Sequence, residues 1–124
     1  ADFAERRGAL GLILFSDPSD YAPRGSEAVY PHTVMMPPSA VPLGTAKLTD
    51  GDPLTPFYPA IPSAFRIPED EAAIPGIPVQ PISYEDAWYL LSSLGGNSGP
   101  VEWQGGLNIT YRTGPSLSSV RVIQ

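Results

Sequence analysis

Side chains that carry out enzyme chemistry are scarce in this chain of 124 residues, which has no cysteine and a single histidine, His32. Thiolate chemistry and disulfides are therefore excluded. Zinc sites in hydrolases usually draw on two or more histidines or on cysteines. A Ser-His-Asp arrangement would have to use His32. We expect this residue to lie in a surface loop instead. The residue types favour a domain that binds or positions a ligand over one that catalyses a reaction.

The sequence instead contains many carbonyl and carboxylate oxygens that could bind a cation. Residues 49–62 carry prolines at positions 53, 56 and 59, which impose extended or turn geometry and leave carbonyl groups without helical or ladder partners. Free carbonyls and carboxylates suit a hard cation such as Ca²⁺. The acidic stretch at residues 69–71 is interpreted as a solvated face, with calcium binding as a minor alternative.

Composition limits the class of protein further. The 16 prolines and 12 glycines exclude a helical bundle or coiled coil, because proline interrupts helices, whereas 42% hydrophobic residues is a globular value. The length corresponds to one domain. A net charge of −6 without a cluster of basic residues argues against a nucleic-acid partner, because neutralising phosphates requires concentrated Lys and Arg. No apolar run is long enough to span a bilayer, and residues 1–7 do not have the form of a signal peptide.

The hydrophobic pattern predicts an α/β arrangement in the first part of the chain. Residues 1–7 resemble the end of a helix that Gly8 terminates. The apolar run at residues 9–15 predicts a strand buried on both faces, with a buried helical segment as the alternative. Residues 16–44 are predicted to form a long loop, and residues 74–82 an extended segment interrupted by proline.

The second part of the chain predicts one clear helix and two strands. Residues 84–94 have apolar side chains at helical spacing, with Ser83 as N-cap and two glycines after the end. Alternation predicts strands at residues 107–111 and 120–123. Trp88 and Trp103 are expected to pack in the core or against another domain. Because the chain opens in a helix and closes in a strand, we expect a fragment of something larger.

Seven segments, in order along nearly the whole chain, resemble the protease-associated domain of the glutamate carboxypeptidase II family, the counterpart of the apical domain of transferrin receptors. They are GALGLILFSDPSDY at residues 8–21, YP at 30–31, PPSAV at 37–41, GDPLTPFYP at 51–59, IPVQPISYEDA at 77–87, WQG at 103–105 and YRTGP at 111–115. Leu54 after Gly-Asp-Pro is similar to the peptidase branch, and in particular to the N-acetylated-α-linked acidic dipeptidase-like proteins, more than to the receptors.

The resemblance implies a mixed α/β fold of the swivelling β/β/α type, a β-sandwich with flanking helices. Residues 1–124 would form a partial protease-associated domain whose N-terminal strands are missing. Family members are dimeric ectodomains of type II membrane proteins, so an extracellular location, either membrane-anchored or secreted, is expected. Their two zinc ions lie in a separate peptidase domain that this chain does not contain. The expected partners are the peptidase and dimerisation domains of the same parent and its peptide substrate, with no membrane contact by these residues.

The resemblance also implies roles for particular residues, none of them catalytic. Thr55 and the backbone carbonyl of Tyr58 correspond to the family's ligands for a structural Ca²⁺ shared with the peptidase domain. Thr45 falls where the family has an Asn that contacts the carboxylate of the substrate. Independently of the resemblance, Asn108 begins an Asn-Ile-Thr sequon, which predicts N-glycosylation if the chain enters the secretory pathway.

Three functions therefore remain open. The first is a non-catalytic domain that covers the active site of a zinc-dependent exopeptidase and helps to bind substrate and calcium. The second is the apical domain of a catalytically inactive, transferrin-receptor-like protein that binds protein ligands. The third, a substrate-recruiting domain of another protease such as a subtilase, is disfavoured by the motif at residues 51–59.

Overall fold

Two short parallel strands form the sheet of this protein. The computed structural model describes residues 1–22, 30–47, 49–116, 118–121 and 123, with β1 at Leu12–Leu14 and β2 at Val79–Pro81. The Leu12 amide donates to the carbonyl of Pro78 at 2.9 Å, and the Ile82 amide donates to the carbonyl of Leu14 at 2.8 Å. The mixed α/β class is confirmed, whereas the β-sandwich stays a prediction because this part of the chain forms one two-stranded sheet.

The first helix ends on a glycine, as predicted. Helix α1 spans Asp2–Glu5, and Gly8 adopts a φ of 83°, a left-handed conformation that favours residues without a Cβ atom. The Gly8 amide donates to Glu5 at 2.8 Å and the Ala9 amide to Ala4 at 3.1 Å. This pair of bonds is a Schellman motif, which satisfies carbonyls at the helix end and directs the chain into β1.

The long loop predicted at residues 16–44 contains a one-turn helix, α2, at Pro18–Tyr21. The carboxylate of Asp17 caps it by accepting from the Ser19 amide at 2.8 Å, and Pro18 takes the first helical position, where its missing N–H costs nothing. Two 3₁₀ turns lie elsewhere, at Glu69–Glu71 and Val101–Trp103. Residues 23–29 of the predicted loop lie outside the described residues.

Helix α3 at Tyr84–Ser92 is the longest element of the described chain and confirms the predicted helix. The Ser83 hydroxyl accepts from the Asp86 amide at 3.0 Å and donates to the Asp86 carboxylate at 2.7 Å, which makes a reciprocal N-cap. The helix ends before Leu94, because Leu94 forms a bridge to Ser116 that takes its backbone out of the helix.

The predicted strand at residues 107–111 is wrong. The backbone bends there, and Asn108 has a φ of 55°, which is incompatible with an extended strand. The side-chain amide of Gln104 occupies the hydrogen-bonding groups of Tyr111, accepting from its amide at 2.9 Å and donating to its carbonyl at 3.1 Å. Residues 120, 121 and 123 do not form the predicted strand either, and residue 122 lies outside the described residues.

The chain divides into two compact units, which we describe separately. The first comprises Ala1–Leu12 and Gly44–Val79, and the second comprises Ile13–Leu43 and Gln80–Ile123. The buried hydrophobic residues of the described chain all belong to the second unit: Ala22, Met35, Tyr84, Ala87 and Leu107. Partly buried side chains such as Phe15, Ile82 and Leu91 pack against this core.

One prediction about burial fails, and a second is contradicted in only one of its two alternatives. The strand predicted to be buried on both faces is only partly covered, since Leu14 is 44% exposed. The two tryptophans are outside the core, Trp88 being 41% and Trp103 67% exposed. The predicted packing of either tryptophan against another domain is not tested by these residues.

Candidate functional site

The proline-rich segment of the first unit is built from consecutive tight turns. The Asp52 carboxylate accepts from the Leu54 amide at 2.8 Å, an Asx turn of the kind that short acidic side chains favour. The Thr55 amide donates to the Asp52 carbonyl at 3.2 Å, and the Tyr58 amide donates to the Thr55 carbonyl at 3.0 Å. With proline restricting φ at three positions, the segment has little freedom to change its shape.

The second of these turns forces one residue into an unusual conformation. Phe57 has a φ of 66° and is fully exposed. A proline followed by a residue with positive φ is the pattern of a type II turn, where the second central position prefers glycine. A bulky residue there is strained, so Phe57 is held by its neighbours rather than by any packing of its own ring.

Thr55 and Tyr58, the two predicted calcium ligands, are brought together by this turn. The Thr55 side chain is only 2% exposed, and its hydroxyl donates to the backbone carbonyl of Tyr58 at 3.1 Å. Two oxygens at that separation can both lie about 2.4 Å from one Ca²⁺ ion, with an angle of about 80° between them. The geometry of the pair therefore fits two neighbouring positions of a calcium shell, once the hydroxyl hydrogen turns away.

A groove of about 600 Å³ runs beside this oxygen pair within the first unit. Thr55 and Tyr58 line it together with the acidic residues Asp50 and Glu71. The described residues hold no group of three or more His, Cys, Asp or Glu side chains that could bind a metal ion. Since Ca²⁺ takes six to eight oxygens, the pair could supply two of them and does not by itself form a complete site.

Thr45 lies on the surface of the same unit and is not one of the groove's lining residues. Its hydroxyl accepts weakly from the Lys47 amide at 3.4 Å, and the Lys47 ammonium donates to the carbonyl of Gly51. Thr45 is thus exposed and lies two positions before the cationic residue Lys47 in the sequence. Nothing in this arrangement tests the predicted contact with a substrate carboxylate.

Asn108 and His32 are both exposed residues of the second unit. Asn108 lies in a bend between the buried Leu107 and the partly buried Ile109, and Thr110 of the sequon is exposed as well. Asn108 is therefore exposed, although the strand predicted at residues 107–111 is absent. His32 lies in a turn, as its sequence context indicated.

Sequence reasoning missed a polar cluster around Asp17 in the second unit. The carboxylate accepts from the Gly106 amide at 2.8 Å, from the hydroxyl of Ser19 at 2.8 Å, and from the phenol of Tyr111. Asp17 and Tyr111 are 94 positions apart. The Asp-Pro-Ser spacing could have predicted the capping of α2, but no local signal indicates a partner so distant.

Burial and hydrogen bonding compete at this cluster. Burial acts to raise the pKa of Asp17, but the hydrogen bonds from Tyr111, Gly106 and Ser19 together outweigh it and lower the pKa below its ordinary value. For Tyr111, burial first and then the bond to Asp17 raise the pKa of the phenol. The cluster therefore favours an ionised carboxylate next to a protonated phenol, and its hydrogen bonds join the start of α2 to Gly106 and Tyr111.

Among the described residues, no helix is both long and apolar enough to cross a bilayer.

The chain is similar in sequence to several known proteins. It is 47% identical over 123 residues to a glutamate carboxypeptidase 2 homolog of Caenorhabditis briggsae, an alignment that covers 92% of this chain and 16% of the relative. It is 42% identical over 117 residues to aminopeptidase NAALADL1 of Mus musculus, with the same two coverages. It is 35% identical over 113 residues to transferrin receptor protein 2 of Mus musculus, covering 90% of this chain and 13% of the relative.

The chain is thus homologous, over nine-tenths of its length, to one segment of a family that includes carboxypeptidase, aminopeptidase and transferrin receptor proteins. The resemblance inferred from the sequence motifs is confirmed, and the match is consistent with the protease-associated, or apical, domain of that family. The chain spans about one-sixth of the length of the first relatives. No protein-family model matches it.

Proposed function

We propose that this chain is a non-catalytic, protease-associated domain of a zinc-dependent glutamate carboxypeptidase-like exopeptidase. The observation that carries the proposal is the identity of 47% and 42% to proteins named as a carboxypeptidase homolog and an aminopeptidase, against 35% for a transferrin receptor. In this proposal the two zinc ions and the reacting groups belong to a peptidase domain outside these residues. The domain covers the active site and orients substrate, which contributes to catalysis through positioning.

The proposed calcium role rests on the oxygen pair of Thr55 and Tyr58. The 3.1 Å separation between the Thr55 hydroxyl and the Tyr58 carbonyl and the rigid turns around them supply two preorganised ligands. The remaining oxygens would come from the peptidase domain, because the described residues hold no metal-binding cluster of their own. A site shared in this way stabilises the contact between two domains rather than either domain alone.

The proposed substrate role rests on the exposed hydroxyl of Thr45. A hydroxyl can donate one hydrogen bond to a substrate carboxylate. It is a weaker carboxylate ligand than the amide that the family places there, so specificity for a C-terminal glutamate would be reduced.

The rest of the proposal concerns the parent protein. It includes the swivelling β/β/α sandwich, completed by strands that precede residue 1, a homodimeric assembly, and an extracellular position as a secreted or membrane-anchored ectodomain. An exposed sequon at Asn108 agrees with passage through the secretory pathway and would make the parent a glycoprotein.

A second candidate function is the apical domain of a receptor that has lost catalysis and binds protein ligands. The observation in its favour is the 35% identity to transferrin receptor protein 2 over 90% of this chain. The two candidates differ in the activity of the parent protein. Only the first requires the parent to bind zinc and to hydrolyse peptides.

Zinc content and peptide hydrolysis by the longest natural protein that carries this chain distinguish the two candidates. We expect about two zinc ions per chain and release of a C-terminal or N-terminal residue from acidic dipeptides. A zinc-free protein that hydrolyses none of them would overturn the first candidate and favour the second.

Calcium titration tests the shared site. In calorimetry the 124-residue chain alone should bind Ca²⁺ weakly or not at all, whereas the longer protein should contain tightly bound Ca²⁺ that Thr55→Val weakens. Thr49→Val, a matched change at an exposed residue of the same groove, should leave the affinity unchanged. Tight binding to the short chain, or equal affinities for the two variants, would contradict the assignment.

A further inference from the structure

We propose that an N-linked glycan on Asn108 lies against the protein, with its first sugar seated in a groove walled by α3. This inference rests on the proposed glycosylation of Asn108 and adds to it a binding site for the glycan itself. The glycan would therefore be covalently attached beside the groove that binds it, and the groove would need no separate ligand.

The groove has the size and composition of a sugar site. Its volume is about 530 Å³, within the range of about 300–1,000 Å³ that small-molecule sites occupy. Its lining includes Tyr84, Glu85, Trp88 and Tyr89 of α3 and the loop residues Leu107 and Asn108. All of them belong to the second unit.

Aromatic side chains supply the apolar wall of this groove. Trp88 follows Tyr84 by one helical turn on α3, so the two side chains share a face of the helix. Trp88 remains 41% exposed, while Tyr84 is buried with its hydroxyl donating to the Met36 carbonyl at 3.2 Å. The Trp88 and Tyr89 rings meet edge to face at 5.2 Å and 88°, which stabilises the tryptophan ring in one orientation. An ordered, half-exposed aromatic ring can pack against the C–H face of a sugar.

Polar groups in the same groove complement the rest of a sugar. Glu85 contributes a carboxylate that can accept hydrogen bonds from sugar hydroxyls or from the N-acetyl amide. The combination of an apolar wall with a small number of convergent polar groups is the usual composition of a small-molecule site. A purely apolar partner would leave this carboxylate desolvated and without a donor.

The backbone places the glycosylation site at the edge of the groove. Leu107 is 8% exposed and anchors the bend, and the next residue, Asn108, is exposed with a φ of 55°. A sugar attached there begins beside the Trp88 wall. Tethering gives it a high effective concentration at the groove, so that even weak packing would keep it seated.

The test compares oxidation of the two tryptophans with and without the glycan. The longest natural protein that carries this chain is expressed in a glycosylating eukaryotic cell line, as wild type and as Thr110→Ala, which removes the sequon while keeping Asn108. Peptide mass spectrometry gives occupancy at Asn108. Hydroxyl-radical footprinting then gives oxidation rates for Trp88 and for Trp103, which is exposed, lies outside the groove and serves as the internal control.

We expect the glycan to slow oxidation of Trp88 by about twofold or more, since a seated ligand covers much of its contact surface, and to leave Trp103 unchanged. An unmodified Asn108 would overturn the glycosylation assignment and the docking with it. A modified Asn108 with Trp88 unprotected, or with both tryptophans slowed equally, would overturn only the docking. If Thr110→Ala is not secreted, enzymatic removal of the glycan from the folded wild type supplies the same comparison.

Discussion

The two compact units differ in whether their described residues form a hydrophobic core. In the second unit, five buried hydrophobic residues form a core, and the Asp17–Tyr111 bond joins positions 94 apart. In the first unit, Thr55 is the one residue buried among those described, and its side chain bonds to a carbonyl three positions away. Long-range bonds occur in the first unit as well, such as that from the Leu12 amide to the Pro78 carbonyl. The difference is therefore that the second unit packs around a hydrophobic core, whereas the described residues of the first unit have none and include local turns stiffened by proline.

This difference corresponds to two different tasks. A hydrophobic core with distant polar partners supplies most of the free energy of folding. A segment of proline-restricted turns instead loses little conformational entropy on folding and can hold backbone and hydroxyl oxygens in place without a core around them. In the proposed function, the first unit would present such oxygens to a neighbouring domain, while the core of the second unit would supply stability.

Among the changes that test this comparison, removal of the Asp17 carboxylate should cause the largest loss of stability. Asp17→Ala leaves the Gly106 and Ser19 amides and the Tyr111 phenol without their acceptor, and we expect a loss of about 3 kcal/mol of unfolding free energy. Denaturant unfolding followed by tryptophan fluorescence reports this directly, because Trp88 and Trp103 both lie in the second unit. Asp17→Asn keeps one acceptor oxygen and should lose less. Equal losses, or a loss below about 1 kcal/mol, would contradict a long-range role for the carboxylate.

The local contact of the first unit should have a smaller effect. Thr55→Val keeps the shape of a buried side chain but removes its bond to the Tyr58 carbonyl, at a cost of about 1 kcal/mol. We expect about fivefold faster hydrogen exchange at the amides of residues 54–58, with tryptophan-detected unfolding of the second unit unchanged. Thr49→Val, at an exposed position, is the matched control. Equal acceleration in both variants would mean that the hydroxyl does not support the turn.

Elements with local signals were predictable from the sequence. The end of α1 at Gly8 and the start of α3 at Ser83 follow from capping preferences that act over three or four residues. The turns of the proline-rich segment likewise follow from its prolines. Thr55 and Tyr58 were named from a family resemblance, and the structure adds the bond that places their oxygens side by side.

Elements that depend on distant partners were not predictable. Alternation at residues 107–111 indicated a strand, but the Gln104 side chain bonds the backbone of Tyr111 and Tyr111 itself bonds Asp17. Neither contact produces a periodic pattern of residues that sequence analysis could detect. For Trp88, the sequence could not distinguish a position in the core from one outside it, since apolar residues at helical spacing predict which face is buried but not how far burial extends along it.

Relief of the strained turn should have a smaller effect of opposite sign. Phe57 has a φ of 66° and is fully exposed, so Phe57→Gly removes a left-handed penalty while losing no packing. After the entropy cost of glycine, we expect the first unit to gain about 0.5 kcal/mol and the Tyr58 amide to exchange about twofold more slowly. Phe65→Gly, a change at an 84% exposed phenylalanine without a positive φ, should instead destabilise. A loss in both variants would show that Phe57 contributes contacts of its own.

The smallest effect we expect is a pH dependence confined to the second unit. Hydrogen bonding lowers the pKa of Asp17 in the folded state, so the folded protein binds a proton there less readily than the unfolded chain does. The carboxylate therefore contributes stability above the ordinary pKa of an aspartate, and that stability decreases as pH falls through the lowered value. Since the group is partly exposed, solvent screens the effect. Unfolding midpoints measured between neutral pH and about pH 3 should decline more steeply for wild type than for Asp17→Asn, which has nothing to protonate at this position. Parallel declines would show that another carboxylate carries the acid sensitivity of this unit.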